Sequence, residues 1–340
     1  MLIPAPNLTL LPVSIAVREF SPWLAAMSLL FCGMALRFHK RLAPLLLGST
    51  LVLAWPLAEI PGIERRMAAQ LSQPAPFRVS GFFRSLATTG AQPETLPLRI
   101  LYYRPRGEGL HPGLIDIYGG AWQRGSPEDN QRFDRYMASQ GYAVFAIDYR
   151  HAPAARFPAQ IEDVRAAILF VHSHAIPYGA DPNRLALSGR SSGGQLALLA
   201  AYEGGPVRIG AVIGIYSPTD LVRGYADLPS PDPLHVRKVL ETYLGGTPSE
   251  APDAYRAASP VMYANRPLPP TLLVQGGRDH IVKPEFAREL QRRLLASGNR
   301  AVLLEVPWAE HAFDAAFAGL GNRLALDYIG QFLDEALRAR

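Results

Sequence analysis

The sequence of 340 residues is poor in cysteine and in charge. Its one cysteine, Cys32, excludes a disulfide framework and a cysteine-based metal site. Charged residues make up 19% of the chain, against a usual share of about 25%, and hydrophobic residues make up 49%. This composition excludes a disordered chain, a coiled coil and a fibrous repeat. The length suits two domains, or one large α/β domain with an appendage.

The basic excess is concentrated near the N-terminus. The chain has 34 Lys plus Arg, nearly all of them Arg, and 29 Asp plus Glu, which gives a net charge of +5. Residues 1–66 contain six basic and three acidic residues, or +3, so the remaining 274 residues carry only +2. Because these 274 residues are nearly neutral, they have no evident basic surface that could bind a phosphate backbone. We therefore expect no nucleic-acid partner.

Two uncharged stretches occupy the N-terminal region. Residues 20–36 and 42–58 each give 17 residues without a charge, and a basic segment at 37–41 separates them. A helix needs about 17–25 apolar residues to cross a bilayer. Trp23 and Trp55 lie near the ends of the stretches, where amphipathic rings favour the membrane interface. The pattern is typical of a helical hairpin in a membrane.

We interpret residues 1–72 as an N-terminal apolar segment with a transmembrane hairpin at about 20–38 and 42–60. The basic turn fits the cytoplasmic side, which places the C-terminal body outside the cytoplasm. Two buried helices packed on a soluble body are the alternative, because Pro44 and Pro56 interrupt the second stretch. A signal peptide is disfavoured, because no basic region precedes the apolar stretch and no convincing cleavage site follows it.

Residues 73–340 have the pattern of one α/β domain. A proline-containing hinge at 73–76 is followed by two segments of strand composition, 77–86 and 98–104, which suit an antiparallel pair. Short apolar runs then alternate with helix-length segments, which predicts a mostly parallel sheet with helices on both faces. The predicted strands are 114–118, 143–148, 185–188, 212–216, 272–275 and 301–306, and the predicted helices are 63–71, 129–140, 159–174, 195–202, 284–297 and 327–339.

The alternation breaks between the strands at 212–216 and 272–275. About fifty residues rich in Pro, Gly and Tyr connect these strands, far more than the usual 2–6 residues. This predicts a cap insertion at about 217–268, which either covers an apolar pocket or is an ordinary packed connection. In folds of this kind the site lies at the carboxyl ends of the strands.

A Gly-x-Ser-x-Gly motif at 189–193 follows the strand at 185–188 and precedes an apolar helix. In this context the motif forms a sharp turn that exposes its central serine, Ser191. The glycines let strand and helix approach closely, and the helix N-terminus offers N–H groups where negative charge would develop. A phosphate-binding loop needs a Lys-Ser/Thr pair after its last glycine, but Gln195 stands there. Ser191 is preferred as the nucleophile over Ser192, which is not central in the motif.

The loop Tyr-Gly-Gly-Ala-Trp at 118–122 follows the strand at 114–118. A loop in this place supplies the second donor to an oxyanion when the serine turn supplies the first. We therefore expect the backbone N–H groups of Gly120, Ala121 and Ser192 to donate to the oxyanion. An ordinary turn between strand and helix would also explain the glycines, although not their pairing with the serine motif.

A serine nucleophile needs a base and an acid that orients the base. Of the eight histidines, only His311 lies in a loop after the last predicted strand, where the chain order Ser, Asp, His places the base. Asp279 follows the strand at 272–275, one strand before His311, and is the expected acid. Asp148 precedes the serine in the chain, and Asp220, at the start of the insertion, is the reserve acid.

Residues 98–338 resemble the α/β-hydrolase superfamily, in particular the feruloyl-esterase-like (BD-FAE type) and hormone-sensitive-lipase-like carboxylesterases. The resemblance implies Ser191 as nucleophile, Asp279 as acid, His311 as base and the loop at 119–122 as oxyanion hole. The segments that carry it are YGGAWQRGS (118–126), DYRHAP (148–153), FPAQIEDVRAAI (157–168), GADPNRLALSGRSSGG (179–194), YLGGTPSEAPDAYRAASP (243–260), LLVQGGRDHIV (272–282) and the loop of His311.

Several positions depart from the family pattern. Tyr118 replaces the usual histidine at the head of the oxyanion loop, and Ala121 replaces its third glycine. Arg190 replaces the usual His or Asp before the nucleophile. No departure removes a catalytic group, so they bear on substrate and rate. The residues expected to border the substrate are Gly119, Trp122, Arg190 and Tyr216.

The sequence thus predicts an α/β-hydrolase fold with a mostly parallel sheet, helices on both faces, a short cap insertion and an N-terminal helical hairpin. The predicted function is cleavage of a small-molecule carboxylic ester through an acyl-enzyme, with no metal and no organic cofactor. Two alternatives stay open: amide or formamide hydrolysis by the same residues, as in kynurenine-formamidase-like members, and a non-catalytic membrane scaffold that binds a lipid or a partner.

Overall fold

The computed structural model describes residues 4–77 and 92–337. Within these residues the chain forms one eight-stranded sheet with the order β1-β2-β4-β3-β5-β6-β7-β8. The strands are β1 Glu94–Leu96, β2 Ile100–Tyr103, β3 His111–Ile117, β4 Ala143–Ile147, β5 Ala180–Arg190, β6 Ala211–Ile215, β7 Thr271–Gly276 and β8 Ala301–Val306. The helices are α1 Leu11–Glu19, α2 Ser21–Phe38, α3 Ala43–Ala68, α4 Gln131–Ser139, α5 Ala159–Ser173, α6 Ser192–Glu203, α7 Leu221–Ala226, α8 Val236–Leu244, α9 Pro252–Ala257, α10 Pro284–Ala296 and α11 Leu320–Leu337.

The sheet is parallel from β4 to β8, and β1 and β2 form an antiparallel edge. Successive residues of one strand point to opposite faces. In β3, Leu114 belongs to one hydrophobic cluster and Ile115 to the other, and both are fully buried. Helices therefore cover both faces, which confirms the predicted fold class.

The predicted strands from 114 onward all lie in this sheet, but the opening pair differs from the prediction. The first strand predicted there, 77–86, lies outside the described residues apart from Phe77. The segment Glu94–Leu96, predicted as part of a turn, forms β1 and pairs with β2 through the contact between Leu96 and Ile100. A short hairpin turn makes this pairing local, so three residues of mixed composition suffice for a strand at the edge.

The long connection between β6 and β7 contains the short helices α7, α8 and α9. Aromatic side chains of this connection pack toward the main core: Tyr243 and Tyr255 are fully buried there. The connection therefore covers one end of the sheet close to the loops that follow the strands.

Helix α3 is longer than the predicted apolar stretch, because it continues through Pro56 and Pro61 to Ala68. The short helix predicted at 63–71 is therefore the end of α3. A proline inside a helix removes a hydrogen bond, but tertiary packing compensates for it here. Ile60 and Ile63 are buried against the hydrophobic cluster under the sheet.

Helices α2 and α3 form an antiparallel pair whose inner side is small and polar. Ser28 Oγ lies 2.7 Å from Ser49 Oγ, and Cys32 Sγ donates to the carbonyl of Ala43. Both helices are long and apolar enough to cross a membrane, by length and composition. Their outward positions are exposed large apolar side chains, among them Leu24, Met27, Leu30, Phe31, Met34, Leu45, Leu47, Leu51 and Val52.

Candidate active site

The Gly-x-Ser-x-Gly motif forms a tight turn between β5 and α6. Only Ser191 separates the two elements, and its backbone has φ 52° and ψ −120°, a strained conformation for a non-glycine residue. A Cβ atom on Gly189 would lie 2.3 Å from the carbonyl oxygen of Gly193, and one on Gly193 would lie 2.1 Å from that of Tyr118. The two glycines are therefore required for the turn that presents the serine side chain.

The structure brings Ser191, Asp279 and His311 together. His311 Nε2 lies 3.2 Å from Ser191 Oγ, and His311 Nδ1 lies 2.8 Å from Asp279 Oδ2. The other oxygen of Asp279 accepts the backbone N–H groups of Ile281 and Val282 at 3.0 and 2.8 Å. These contacts fix the carboxylate, so it can orient the imidazole with its free nitrogen toward the serine.

The electrostatics of His311 favour the protonated imidazole. Burial of the ring opposes a positive charge, but the charge of Asp279 and its hydrogen bond outweigh burial and raise the pKa of His311 above 6.5. The nearby carboxylates of Glu310 and Asp314 act in the same direction. A base in this position can hold the proton that a serine would lose.

The structure gives the other candidate residues different partners. Ser192 is buried in the first turn of α6. Asp148 Oδ1 accepts the hydroxyl of Tyr118 at 2.5 Å, and Asp220 caps α7 by accepting the N–H of Arg223 at 3.0 Å. These side chains do not contact His311, so they do not complete the arrangement around Ser191.

The loop after β3 lies directly against the serine turn. Gly120, Ala121 and Trp122 have positive φ values of 138°, 57° and 59°. A Cβ on Gly119 would lie 2.8 Å from the carbonyl oxygen of Arg190 and 3.2 Å from Ser191 Cβ, so only glycine permits this approach. The backbone of this loop and the first turn of α6 therefore flank Ser191. That their N–H groups donate to an oxyanion stays a prediction.

Two cavities meet at Ser191. The larger one, of about 520 Å³, is lined by Ser191, His311, Arg190 and Tyr216 and by the loop at 119–121. The smaller one, of about 70 Å³, is mostly apolar. Its walls include Trp122 from the loop after β3, Leu221, Val236, Val239 and Leu240 from the insertion, and Phe286 from α10.

Arg190 and Tyr216 share a partner that the sequence analysis missed, Asp314. Arg190 Nε lies 2.5 Å from Asp314 Oδ2, and its Nη1 lies 3.3 Å from Asp116. Tyr216 donates its hydroxyl to Asp314 Oδ1 at 2.5 Å, and its ring centre lies 4.7 Å from that of His311. Of the signals in the sequence, only the position of Asp314 three residues after His311 could have indicated it.

Trp122 belongs to the wall between the loop and the insertion. Its Nε1 donates to Gln195 Oε1 at 2.9 Å, and its ring stacks on Tyr243 at 4.2 Å. A hydrogen bond and ring stacking therefore fix the position of the indole in the wall of the smaller cavity.

The N-terminal residues also reach the site, which the sequence analysis did not foresee. Leu8 and Leu11 line the larger cavity. Arg18, at the end of α1, forms a buried ion pair with Glu310, the residue before His311. No motif marks these residues, because their partners lie far along the chain, and Glu310 is about three hundred positions after Arg18.

Comparison with known proteins identifies the family. The BD-FAE family model matches residues 100–294, more than half of the chain. Esterase LipC of Mycobacterium tuberculosis is 33% identical over 244 residues, which cover 67% of this chain and 59% of LipC. Esterase LipQ of the same organism is 29% identical over 293 residues, which cover 82% of this chain and 65% of LipQ. The chain thus matches somewhat under two thirds of the length of these curated relatives.

A solved structure shows the same fold. The hyperthermophilic esterase from the archaeon Pyrobaculum calidifontis aligns with a TM-score of 0.65 and 23% identity, covering 83% of this chain and 94% of that chain. The eight-stranded sheet, the serine turn at its carboxyl edge and the match to the family model agree with one another. The chain belongs to the BD-FAE family of the α/β-hydrolase superfamily.

Proposed function

We propose that the chain is a membrane-anchored serine hydrolase that cleaves a small-molecule carboxylic ester. The observation that carries the proposal is the hydrogen-bonded series from Ser191 Oγ through His311 to Asp279, placed on a strained turn at the carboxyl edge of the sheet. Relatives of the chain are named esterases, which supports an ester as the substrate.

The reaction proceeds through an acyl-enzyme. Ser191 Oγ attacks the ester carbonyl while His311 Nε2 takes its proton, and Asp279 stabilises the imidazolium. The backbone N–H groups of Gly120, Ala121 and Ser192 donate to the oxyanion of the tetrahedral intermediate. His311 then gives the proton to the leaving alcohol as its bond to the acyl carbon breaks. Water next attacks the acyl carbon while His311 takes its proton, and His311 returns this proton to Ser191 Oγ as the bond to the acyl group breaks and the acid leaves.

The two cavities accommodate different parts of the substrate. The smaller apolar cavity holds a short acyl chain, because its walls are apolar side chains and its volume is about 70 Å³. The larger cavity accepts the alcohol part, with Gly119, Arg190 and Tyr216 along its wall. Arg190 is neutralised by two carboxylates, so it shapes this wall rather than attracting a substrate anion.

A fluorophosphonate probe tests the nucleophile. The purified protein is expected to gain one adduct by intact mass, Ser191→Ala to gain none, and the exposed-serine control Ser249→Ala to label like the wild type. Absence of labelling in folded wild type would refute the proposal and favour the non-catalytic scaffold. Turnover of matched short-chain ester and anilide substrates then separates ester from amide hydrolysis.

We propose that residues 1–72 form the anchor and residues 73–340 the catalytic domain. The outward faces of α2 and α3 expose large apolar side chains, which water disfavours and lipid tails accommodate. The basic turn between the helices, residues 37–41, would lie at the cytoplasmic surface. The catalytic domain then faces away from the cytoplasm.

A cysteine at the tip of the hairpin tests the anchor and its orientation. In a Cys32→Ala background, His39→Cys should resist a membrane-impermeant maleimide in spheroplasts and react after the membrane is opened. The protein should also stay in the membrane fraction after alkaline carbonate extraction. Reaction of the tip in intact spheroplasts would show the opposite orientation in the membrane. Release of the protein by carbonate would refute the membrane anchor.

A further inference from the structure

Helix α1 contacts both loops that carry the acid and the base. Leu11 and Ile15 form a buried cluster with Ile281, Val282 and Phe286, which follow Asp279 in the chain. One residue, Phe20, separates α1 from the first hairpin helix. A helix of nine residues is marginal in isolation, so its place depends on these contacts.

The end of α1 forms a buried ion pair with the residue that precedes the base. Arg18 Nη1 lies 3.3 Å from Glu310 Oε2, and the two residues are only 2% and 1% exposed. Removing one partner of such a pair leaves the other charge buried without its ionic partner, which is far more disruptive than loss of a surface pair. The contact therefore couples the N-terminal segment to the loop of His311.

The other oxygen of Glu310 holds the backbone around the base. Glu310 Oε1 accepts the N–H of His311 at 3.0 Å, the N–H of His280 at 3.1 Å and His280 Nδ1 at 2.9 Å. His280 follows Asp279 directly, so one carboxylate joins the acid loop to the base loop. Burial raises the pKa of Glu310, but these hydrogen bonds and the charge of His280 outweigh burial and lower the pKa, which keeps Glu310 ionised.

We propose that Glu310 is a positioning residue for His311, and that Arg18 of α1 holds Glu310 in place. The inference rests on the role proposed above for His311 as the base. An error of about 1 Å in the position of a catalytic group costs up to roughly 100-fold in rate. Glu310 acts on geometry through three hydrogen bonds and on the imidazole through its negative charge.

Several charged groups face His311 besides Glu310, and they set the background for a pH test. Asp279 lies on the acid loop, and Asp314 follows the base in its own loop. Arg190 at the end of β5 neutralises Asp314, and the hydroxyl of Tyr216 donates to the same carboxylate. Close to Glu310 lie His280 of the acid loop and Arg18 of α1, and Arg18 in turn is influenced by the charges of Arg278 and Glu19.

The test combines rate and pH profile in the full-length, detergent-purified protein. Glu310→Gln keeps an acceptor oxygen but removes the charge, so the acid limb of kcat/KM, which reports the free base, should move to lower pH. Arg18→Met should lower kcat by about 10- to 100-fold with a smaller change in KM. Arg18→Lys, which restores the charge without the planar guanidinium, should recover part of that loss.

Arg184→Met is the matched control, because Arg184 pairs with Asp181 at the opposite end of β5 and should leave kcat unchanged. Wild-type rates and an unshifted acid limb in Arg18→Met and Glu310→Gln would overturn the inference. So would a loss of activity that equals the loss of folded protein, with the acid limb unmoved.

NMR titration of the imidazole in histidine-labelled protein measures the same contact without turnover. A lower pKa of His311 in Glu310→Gln supports the inference, and an unchanged pKa overturns it. An inactive wild type would instead refute the proposed function, so the two failures are distinguishable.

Discussion

Glu19 offers a direct test of how the N-terminal segment is attached, through the pH dependence of stability. Its carboxylate is fully buried, and Oε2 accepts the N–H of Gly321 at 2.6 Å in the first turn of α11. Burial is the largest influence and raises its pKa from 4.5 to about 8, while the N–H groups of Gly321 and Asn322 oppose this. The folded protein therefore holds a proton that the unfolded chain loses near pH 4.5.

The sign and size of the effect follow from this difference. Below pH 4.5 the carboxyl group is protonated in both states and contributes nothing to the pH dependence. Above that value the unfolded chain ionises first, so stability falls with rising pH until the folded group also ionises near pH 8. At about 1.36 kcal/mol per pH unit, the loss between pH 6 and pH 8 is about 2 kcal/mol.

The substitution Glu19→Gln removes the titration and keeps an acceptor for the N–H of Gly321. The Tm of Glu19→Gln minus that of the wild type should therefore rise by about 3 °C between pH 6 and pH 8, at one scan rate in the same detergent. Glu108 is exposed, so the Tm of the control Glu108→Gln minus that of the wild type should stay constant between pH 6 and pH 8. If the Tm difference between Glu19→Gln and the wild type stays flat or falls over this range, Glu19 is already ionised in the folded protein, and the reasoning is refuted.

Four further predictions concern the turn, the cavity, the base and the hairpin. Gly193→Ala should abolish probe labelling and lower the Tm, because its Cβ would lie 2.1 Å from a carbonyl oxygen. Leu240→Trp should fill the smaller cavity and reduce kcat/KM for butyrate relative to acetate esters by about 10-fold. The acid limb of wild-type kcat/KM should lie above pH 6.5, because Asp279 raises the pKa of His311 and only the neutral imidazole is a base. Ser28→Ala should lower the Tm measurably, by loss of a hydrogen bond worth about 0.6 kcal/mol.

The features that could be predicted from the sequence are those with local requirements. The turn at Ser191 needs glycine on both sides, because Cβ atoms at Gly189 and Gly193 would collide with backbone. Parallel strands align their carboxyl ends, so residues that follow β5, β7 and β8 must meet. For this reason chain order together with position after a strand favours Asp279 and His311, with Asp220 as the reserve acid.

The ionic partners of the site could not be predicted, because no local spacing encodes them. Arg190 is 74 residues from Asp116 and 124 residues from Asp314, and only the folded sheet brings these three together. The length of α3 was predicted wrongly for a related reason. Pro56 indicates an interruption of the second stretch, whereas burial of the following turns against the catalytic body keeps the helix intact, also through Pro61.

Helix α1 shows why no role at the site is predicted for the first residues of the chain, although Leu8 and Leu11 line the larger cavity. Nothing in the nine residues of α1 indicates a partner, but residues near the C-terminus leave space for its side chains. Cβ atoms on Gly319 and Gly321 would lie 2.6 and 2.8 Å from Glu19, and the nearest atoms to a Cβ on Gly321 all belong to that side chain, about three hundred residues earlier. Glu310 is similar in part: Oε1 accepts three hydrogen bonds from His280 and His311, whereas Oε2 faces Arg18, close to three hundred residues earlier. Steric and ionic complementarity between α1 and the C-terminal residues thus attaches the hairpin to the catalytic loops. It depends on contacts between the two ends of the chain, so no local sequence pattern encodes it.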